Sequence, residues 1–135
     1  MPSSNSKNLL TLFLIPLLFL SQLPEAKGAN TGEQLYLANC AKCHGREGEG
    51  FLKLYPPILN SHYLKDNVSE LPCIIRNGMR GEIIVDDVTF NQIMPAIQQL
   101  SPEQMTNLIG FMQQQWDHPK TDISVKTWLE KCNSQ

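Results

Sequence analysis

The chain has 135 residues, 41% of them hydrophobic and 18% charged, with nine Pro and eight Gly, which is room for one small globular domain and not for a two-domain enzyme with its own cofactor fold. A formal charge of −2 and a pI near 5.9 exclude a broad cationic surface for counterion release from nucleic acid, and no Lys/Arg run offers a polybasic membrane patch. Nucleic acid is therefore not an expected partner.

Met1 to Ser6 is polar, Lys7 is positive, and Leu9 to Leu20 is an almost unbroken apolar run. This layout predicts a secretory signal over residues 1–28, with Ala26 and Gly28 as the small residues before a cut at Ala29. The run is short for a membrane-spanning helix, although an uncleaved N-terminus would hold the protein at a membrane. Residues 29–135 form the exported domain in this reading, with the periplasm as the expected location. Cys40, Cys43, Cys73 and Cys132 all fall in that part, where the compartment is oxidising.

Residues 32–42 predict a short amphipathic helix carrying Leu35, Tyr36 and Ala38. The stretch 45–57 is punctuated by Gly and Pro and reads as a loop. Ser69 and Glu70, ahead of Leu71 and Pro72, mark a helix start that Gly78 stops. Residues 82–90 carry β-branched residues on both sides of Asp86-Asp87, which predicts a short hairpin. The clearest helix begins at Ser101, where Ser-Pro-Glu-Gln has the form of a capping box with Pro at the first helical position. Met105, Leu108, Ile109, Met112 and Trp116 then form one apolar stripe, and Gly110 is expected to admit a close backbone neighbour. From Ser124 onward, Val125, Trp128, Leu129 and Cys132 share a second helical face.

The chemistry is carried by Cys40-Ala41-Lys42-Cys43-His44. On a helix, positions 40, 43 and 44 share one face, so two thiols can add to the vinyl groups of a haem while the imidazole reaches its iron from the same side. Two other readings compete. A thioredoxin-like dithiol would open a helix after a strand, and nothing strand-like precedes Cys40; a zinc site would need a further ligand from Cys73, Cys132, His62 or His118, none of them at ligand-pair spacing.

A second strong iron ligand suits electron transfer, and a methionine opposite histidine raises the potential. Met105 and Met112 belong to the apolar stripe. Met94 is favoured because Pro95 holds it in extended backbone; the alternatives are Met79 after Gly78, or no protein side chain.

At this point the sequence resembles the monohaem class I cytochromes c, most of all the small domains of bacterial respiratory chains and dehydrogenase complexes. GEQLYLANCAKCHGREGEG is similar to their N-terminal helix and haem-binding turn, YPPIL to the loop beneath the proximal histidine, and IMPAIQQLSPEQMTNLIGFMQQQW to the ligand loop and C-terminal helix. The resemblance implies an all-α small cytochrome c fold around one covalent haem c. It implies that the Gly32 helix crosses the Ser101 helix with Tyr36 beside Leu108 and Phe111, that the Pro56 carbonyl accepts the free N–H of His44, and that Ile58 lines the haem. Such domains often have Asn-Gly where Asp86-Asp87 stands, and a Gly where Gln92 stands.

Cys73 and Cys132 lie outside that pattern. Export and the inward face of Cys132 favour a disulfide between them over two separate buried thiols. His62 and His118 read as exposed loop histidines, Asp86, Asp87, Glu47 and Glu49 as solvated loop positions, and Arg46, Arg76 and Arg80 as equal candidates for haem propionates. The expected function is one-electron transfer by an exported carrier, not an enzyme, with His44 and Met94 on the iron and redox proteins such as a respiratory complex, dehydrogenase or oxidase as partners. The alternative from another class is an enzyme, either a dithiol oxidoreductase using Cys40 and Cys43 or a haem peroxidase with an open distal site.

Overall fold

The computed structural model describes residues 31–120 and 124–132; the predicted signal, residues 1–28, lies outside the described residues. The expected first helix is divided in two. α1 (Gly32–Asn39) opens on a capping box in which the Thr31 hydroxyl accepts from the Gln34 N–H and the Gln34 side chain accepts from the Thr31 N–H. The backbone then resets at Cys40, and one further turn, α2 (Ala41–His44), ends at Gly45 with φ +81°. Leu35 and Tyr36 are buried, as expected of the apolar face, whereas Ala38 is exposed and Leu37 packs on the core instead.

After the loop come α3 (His62–Asp66), capped by Ser61, and α4 (Leu71–Asn77), with Pro72 in its first turn and Gly78 at its end with φ +73°. The predicted hairpin forms from β1 (Ile83–Val85) and β2 (Val88–Phe90), in antiparallel register with Ile83 opposite Phe90 and Val85 opposite Val88. Both turn residues are left-handed, Asp86 at φ +49° and Asp87 at φ +64°, the primed-turn geometry that matches strand twist and that Asp tolerates better than most residues. Val85 and Phe90 face the core while Ile84 and Thr89 face solvent. Asp86 is not simply solvated: its carboxylate accepts from the His62 backbone N–H at 3.3 Å and pairs with His62 Nδ1 at 2.7 Å, which holds its pKa below the usual carboxylate value. The pair is exposed and ties α3 to the hairpin with little energy.

α5 (Pro102–Gln115) carries the predicted capping box between Ser101 and Gln104, and Met105, Leu108, Ile109, Met112 and Trp116 are all buried. α5 crosses α1, and α6 (Val125–Cys132) lies against α4 and α5. The close approach between α1 and α5 occurs at Gly32, not at Gly110. A Cβ on Gly32 would collide with the Asn107 carbonyl and the Phe111 side chain, while one on Gly110 would meet nothing. Among the described residues no helix is long and apolar enough to cross a membrane.

Cys73 on α4 and Cys132 on α6 form a disulfide with Cα atoms 5.4 Å apart. Its ends are 59 residues apart in sequence, so chain-entropy reasoning assigns it roughly 4 kcal/mol. Replacing both cysteines by alanine is expected to lower the denaturant midpoint accordingly and leave the visible spectrum unchanged, because neither cysteine lines the cavities beside His44. Non-reducing peptide mapping should recover the two in one fragment; alkylation of both in unreduced protein would contradict the bond.

Candidate cofactor site

Cys40 is buried and Cys43 half-buried, and both are free thiols. Burial, reinforced by the neighbouring Cys43, pushes the Cys40 thiol up to about 12. A dithiol catalyst needs the reverse, an accessible first cysteine with a depressed pKa, so the oxidoreductase reading loses its physical basis. Zinc fares no better, since among the described residues no three His, Cys, Asp or Glu side chains converge to hold a metal ion.

His44 ends α2, and its Nδ1–H donates to the Pro56 carbonyl at 2.9 Å. Burial lowers its pKa below the ordinary 6.5, against a smaller opposing effect of the Pro56 carbonyl. The ring is therefore neutral, with its proton on Nδ1 and the lone pair of Nε2 free for a metal. Around it the backbone is tightly wound: Gly50 N–H donates to the His44 carbonyl at 2.7 Å, and Ile58 and Leu59 N–H donate to the Gly48 carbonyl at 2.8 and 2.9 Å. Gly48 lies against the Trp116 ring with φ +73°, where a side chain would be strained as well as crowded. Tyr36 donates its hydroxyl to the Gly45 carbonyl at 2.7 Å, and its ring packs on Trp116 and Phe111 with centroids 4.8 and 5.8 Å away. The α1/α5 crossing thus fixes the turn that carries His44.

Two adjoining apolar cavities form a slot, and both are walled by Cys40, His44, Pro56, Met79, Ile83 and Met94. Ile58 lines the inner one and Cys43 the outer one. Met94 and Met79 face each other in an antiparallel bridge, each N–H donating to the other's carbonyl at 3.0 Å. Three residues on, Ile97 N–H donates to the Ile75 carbonyl at 2.9 Å. Gly78 makes the docking close, because a Cβ there would collide with the Met94 carbonyl. The six expected site residues, Cys40, Cys43, His44, Pro56, Ile58 and Met94, therefore meet in one place, and Met79 joins them.

Arg76, one of three candidates for a propionate, is committed elsewhere, donating to the Gln98 and Leu100 carbonyls at 2.7 and 2.8 Å. His118 departs most from expectation. It is buried, and its Nε2–H donates to the Ile58 carbonyl at 2.8 Å. Sequence offered no signal, since its partner lies 60 residues away.

Burial sets the pKa of His118 below its ordinary 6.5. Between that ordinary value and the lower folded one the unfolded chain binds more protons, so stability rises with pH in this window and falls on acidification. Melting temperature is expected to drop from neutral pH to about pH 5, and His118→Gln to show a shallower dependence.

A dry slot, two free thiols at its wall, a neutral imidazole and thioether sulfurs suit haem, whose iron takes nitrogen and thioether ligands and whose macrocycle is apolar. The sequence profile of the cytochrome c family matches residues 29–116, and the chain belongs to that family. It is a c-type cytochrome, an electron-transfer protein with covalently bound haem c. Similar proteins include the cytochrome c subunit of alcohol dehydrogenase (quinone) from Gluconobacter oxydans (strain 621H), 29% identical over 90 residues, which are 64% of this chain and 18% of that subunit. Cytochrome c-552 of Thermus thermophilus is 28% identical over 94 residues, 66% of this chain and 70% of that protein. Cytochrome c-552 from a second Thermus thermophilus strain is also 28% identical over 94 residues, with 62% of its length covered.

Proposed function

We propose that this protein is an exported one-electron carrier in which Cys40 and Cys43 form the two thioether bonds to haem, His44 supplies the proximal ligand through Nε2, and Met94 supplies the second ligand through its sulfur. Bound haem contributes reversible Fe(III)/Fe(II) cycling; the chain contributes everything that makes the cycling fast and directed. The observation that carries the reading is the neutral His44 ring, oriented by the Pro56 carbonyl inside a slot that also presents Met94. That carbonyl fixes the ring plane and raises the basicity of Nε2. Ile58, Leu71 and Ile75 keep water from the inner part of the slot, which limits solvent reorganisation between the two charge states. Residues 29–135 form the working domain after removal of the signal at 1–28, and the periplasm is its location.

Ile93 lines the outer cavity and is 56% exposed. An apolar side chain left in water at the slot mouth suits brief contact with a redox partner, a dehydrogenase or an oxidase. The visible spectrum tests the whole reading: sharp bands of a low-spin, thioether-linked haem in the reduced protein support it, and a colourless exported protein would overturn it.

A further inference from the structure

His118 stands just beyond the stretch that matches the family profile, residues 29–116, so no role comes to it from that match. The chain nevertheless goes to some length to place its ring. Asp117 takes a left-handed φ of +51°, which costs energy in a residue with a side chain. The reversal is then fastened around the end of α5: His118 N–H donates to the Gln113 carbonyl at 3.2 Å, and the Gln113 amide donates to the Pro119 carbonyl at 2.7 Å. The ring it delivers is only 6% exposed. Burial keeps that ring neutral, and its one proton is spent on the Ile58 carbonyl, while Nδ1 is buried without a protein partner. Burying an imidazole for one hydrogen bond is unfavourable unless that bond matters to something else.

What it holds is the strand of chain beneath His44. Pro56 and Pro57 have no N–H, so the stretch that offers the Pro56 carbonyl to His44 cannot be tied through their backbone amides. It is anchored on one side by the bridge between Phe51 and Tyr55 and on the other at Ile58, whose N–H donates to the Gly48 carbonyl and whose own carbonyl accepts from Ser61 N–H and His118.

We propose that His118 is a positioning residue for the His44 imidazole, its bond to the Ile58 carbonyl anchoring the proline stretch whose Pro56 carbonyl sets the orientation of the His44 ring. This rests on the reading of His44 as the iron ligand. Loss of the anchor loosens the Nδ1–H bond, lowers the basicity of Nε2 and so disfavours the oxidised state.

The test uses the purified holoprotein, wild type, His118→Ala and His118→Gln. Two readouts report on the imidazole and not on stability: the pattern of paramagnetically shifted haem methyl resonances in the oxidised protein, which follows the plane of the axial ring, and the midpoint potential. His118→Ala is expected to change the methyl pattern and raise the potential, and His118→Gln, which keeps an N–H donor at the same reach, to restore both most of the way. An alanine variant that melts earlier but keeps the wild-type pattern and potential overturns the proposal. If His118→Ala does not accumulate, Gln113→Leu, which releases the Pro119 carbonyl, takes its place with a smaller change in the same direction; an unchanged pattern there overturns the proposal too. Wild-type protein whose His44 ring protons lack the shifts of an iron-bound imidazole overturns the ligation reading, and this role with it, whereas normal shifts in wild type with no response in the variants overturn the positioning role alone.

Discussion

Alanine at both Cys40 and Cys43 is expected to give a protein from which acidified acetone extracts all haem, whereas wild type should retain one haem through the same treatment and show its mass added to that of the chain after signal removal. The reason lies in the arrangement of α2, which brings two free thiols to the wall of one slot. A single Cys→Ala change leaves one thioether and should weaken retention without abolishing it. His44→Ala should be more damaging than either. It removes the proximal bond and the Nδ1–H bond to Pro56 at once, and leaves Pro56 beside the slot with its carbonyl unpaired, at about 1–3 kcal/mol for the orphaned acceptor alone. A slot lined by Ile58, Ile75 and Phe90 does not close on itself, because interiors relax only partly around missing volume. Cofactor binding and folding are therefore coupled, and His44→Ala is expected to be recovered as unfolded, haem-free chain. Haem that leaves wild type in acidified acetone would end the covalent reading.

Periodicity made the long elements legible. Five apolar residues on one face of α5, a Ser-Pro-Glu-Gln start and a spacing of 40, 43 and 44 are all local signals, and local signals survive in a linear string. The hairpin was legible for the same reason, through alternation on either side of Asp86-Asp87. The first helix was read too long because hydrophobic pattern does not register the backbone reset at Cys40, and the Thr31-Gln34 capping box that starts it was in plain view and passed over. The errors at Gly110 and His118 have another origin. Whether a glycine is needed depends on which residues meet at a helix crossing, and this is settled by the position of Asn107 and Phe111 relative to Gly32. Whether a histidine is buried depends on a carbonyl 60 residues away. Such facts belong to the assembled fold and leave no trace in the neighbouring residues. Met79 is a third case: the bridge that sets it beside Met94 joins the end of α4 to the loop before α5, a pairing invisible until the chain has folded.

That pairing makes the choice of methionine the most consequential one to test. Met94→Ala is expected to lower the midpoint potential markedly and to open the iron to exogenous ligands, because a thioether favours Fe(II) over Fe(III) more than water or nitrogen does. Met94→His should lower the potential while keeping the iron closed. Met79→Leu should do neither, although Met79 shares the slot wall. The two methionines differ in how the backbone continues beyond them. Met94 leads into Pro95, which restricts it to extended backbone, and the chain is caught again where Ile97 N–H meets the Ile75 carbonyl, so its sulfur is presented from a segment fixed at both ends. Met79 leads into Arg80, Gly81 and Glu82, all exposed, with Gly81 at φ +92° and nothing within 4 Å of its Cβ position. A ligand that must keep its place through changes of iron charge is better served by the first arrangement. The direct observable is the weak sulfur-to-iron charge-transfer band near the red end of the visible spectrum of the oxidised protein. Its loss in Met94→Ala and survival in Met79→Leu is the expected result. The reverse outcome assigns the bond to Met79. Wild-type protein that lacks the band and takes up carbon monoxide readily has an open distal site, and then peroxidase chemistry displaces the carrier as the better reading.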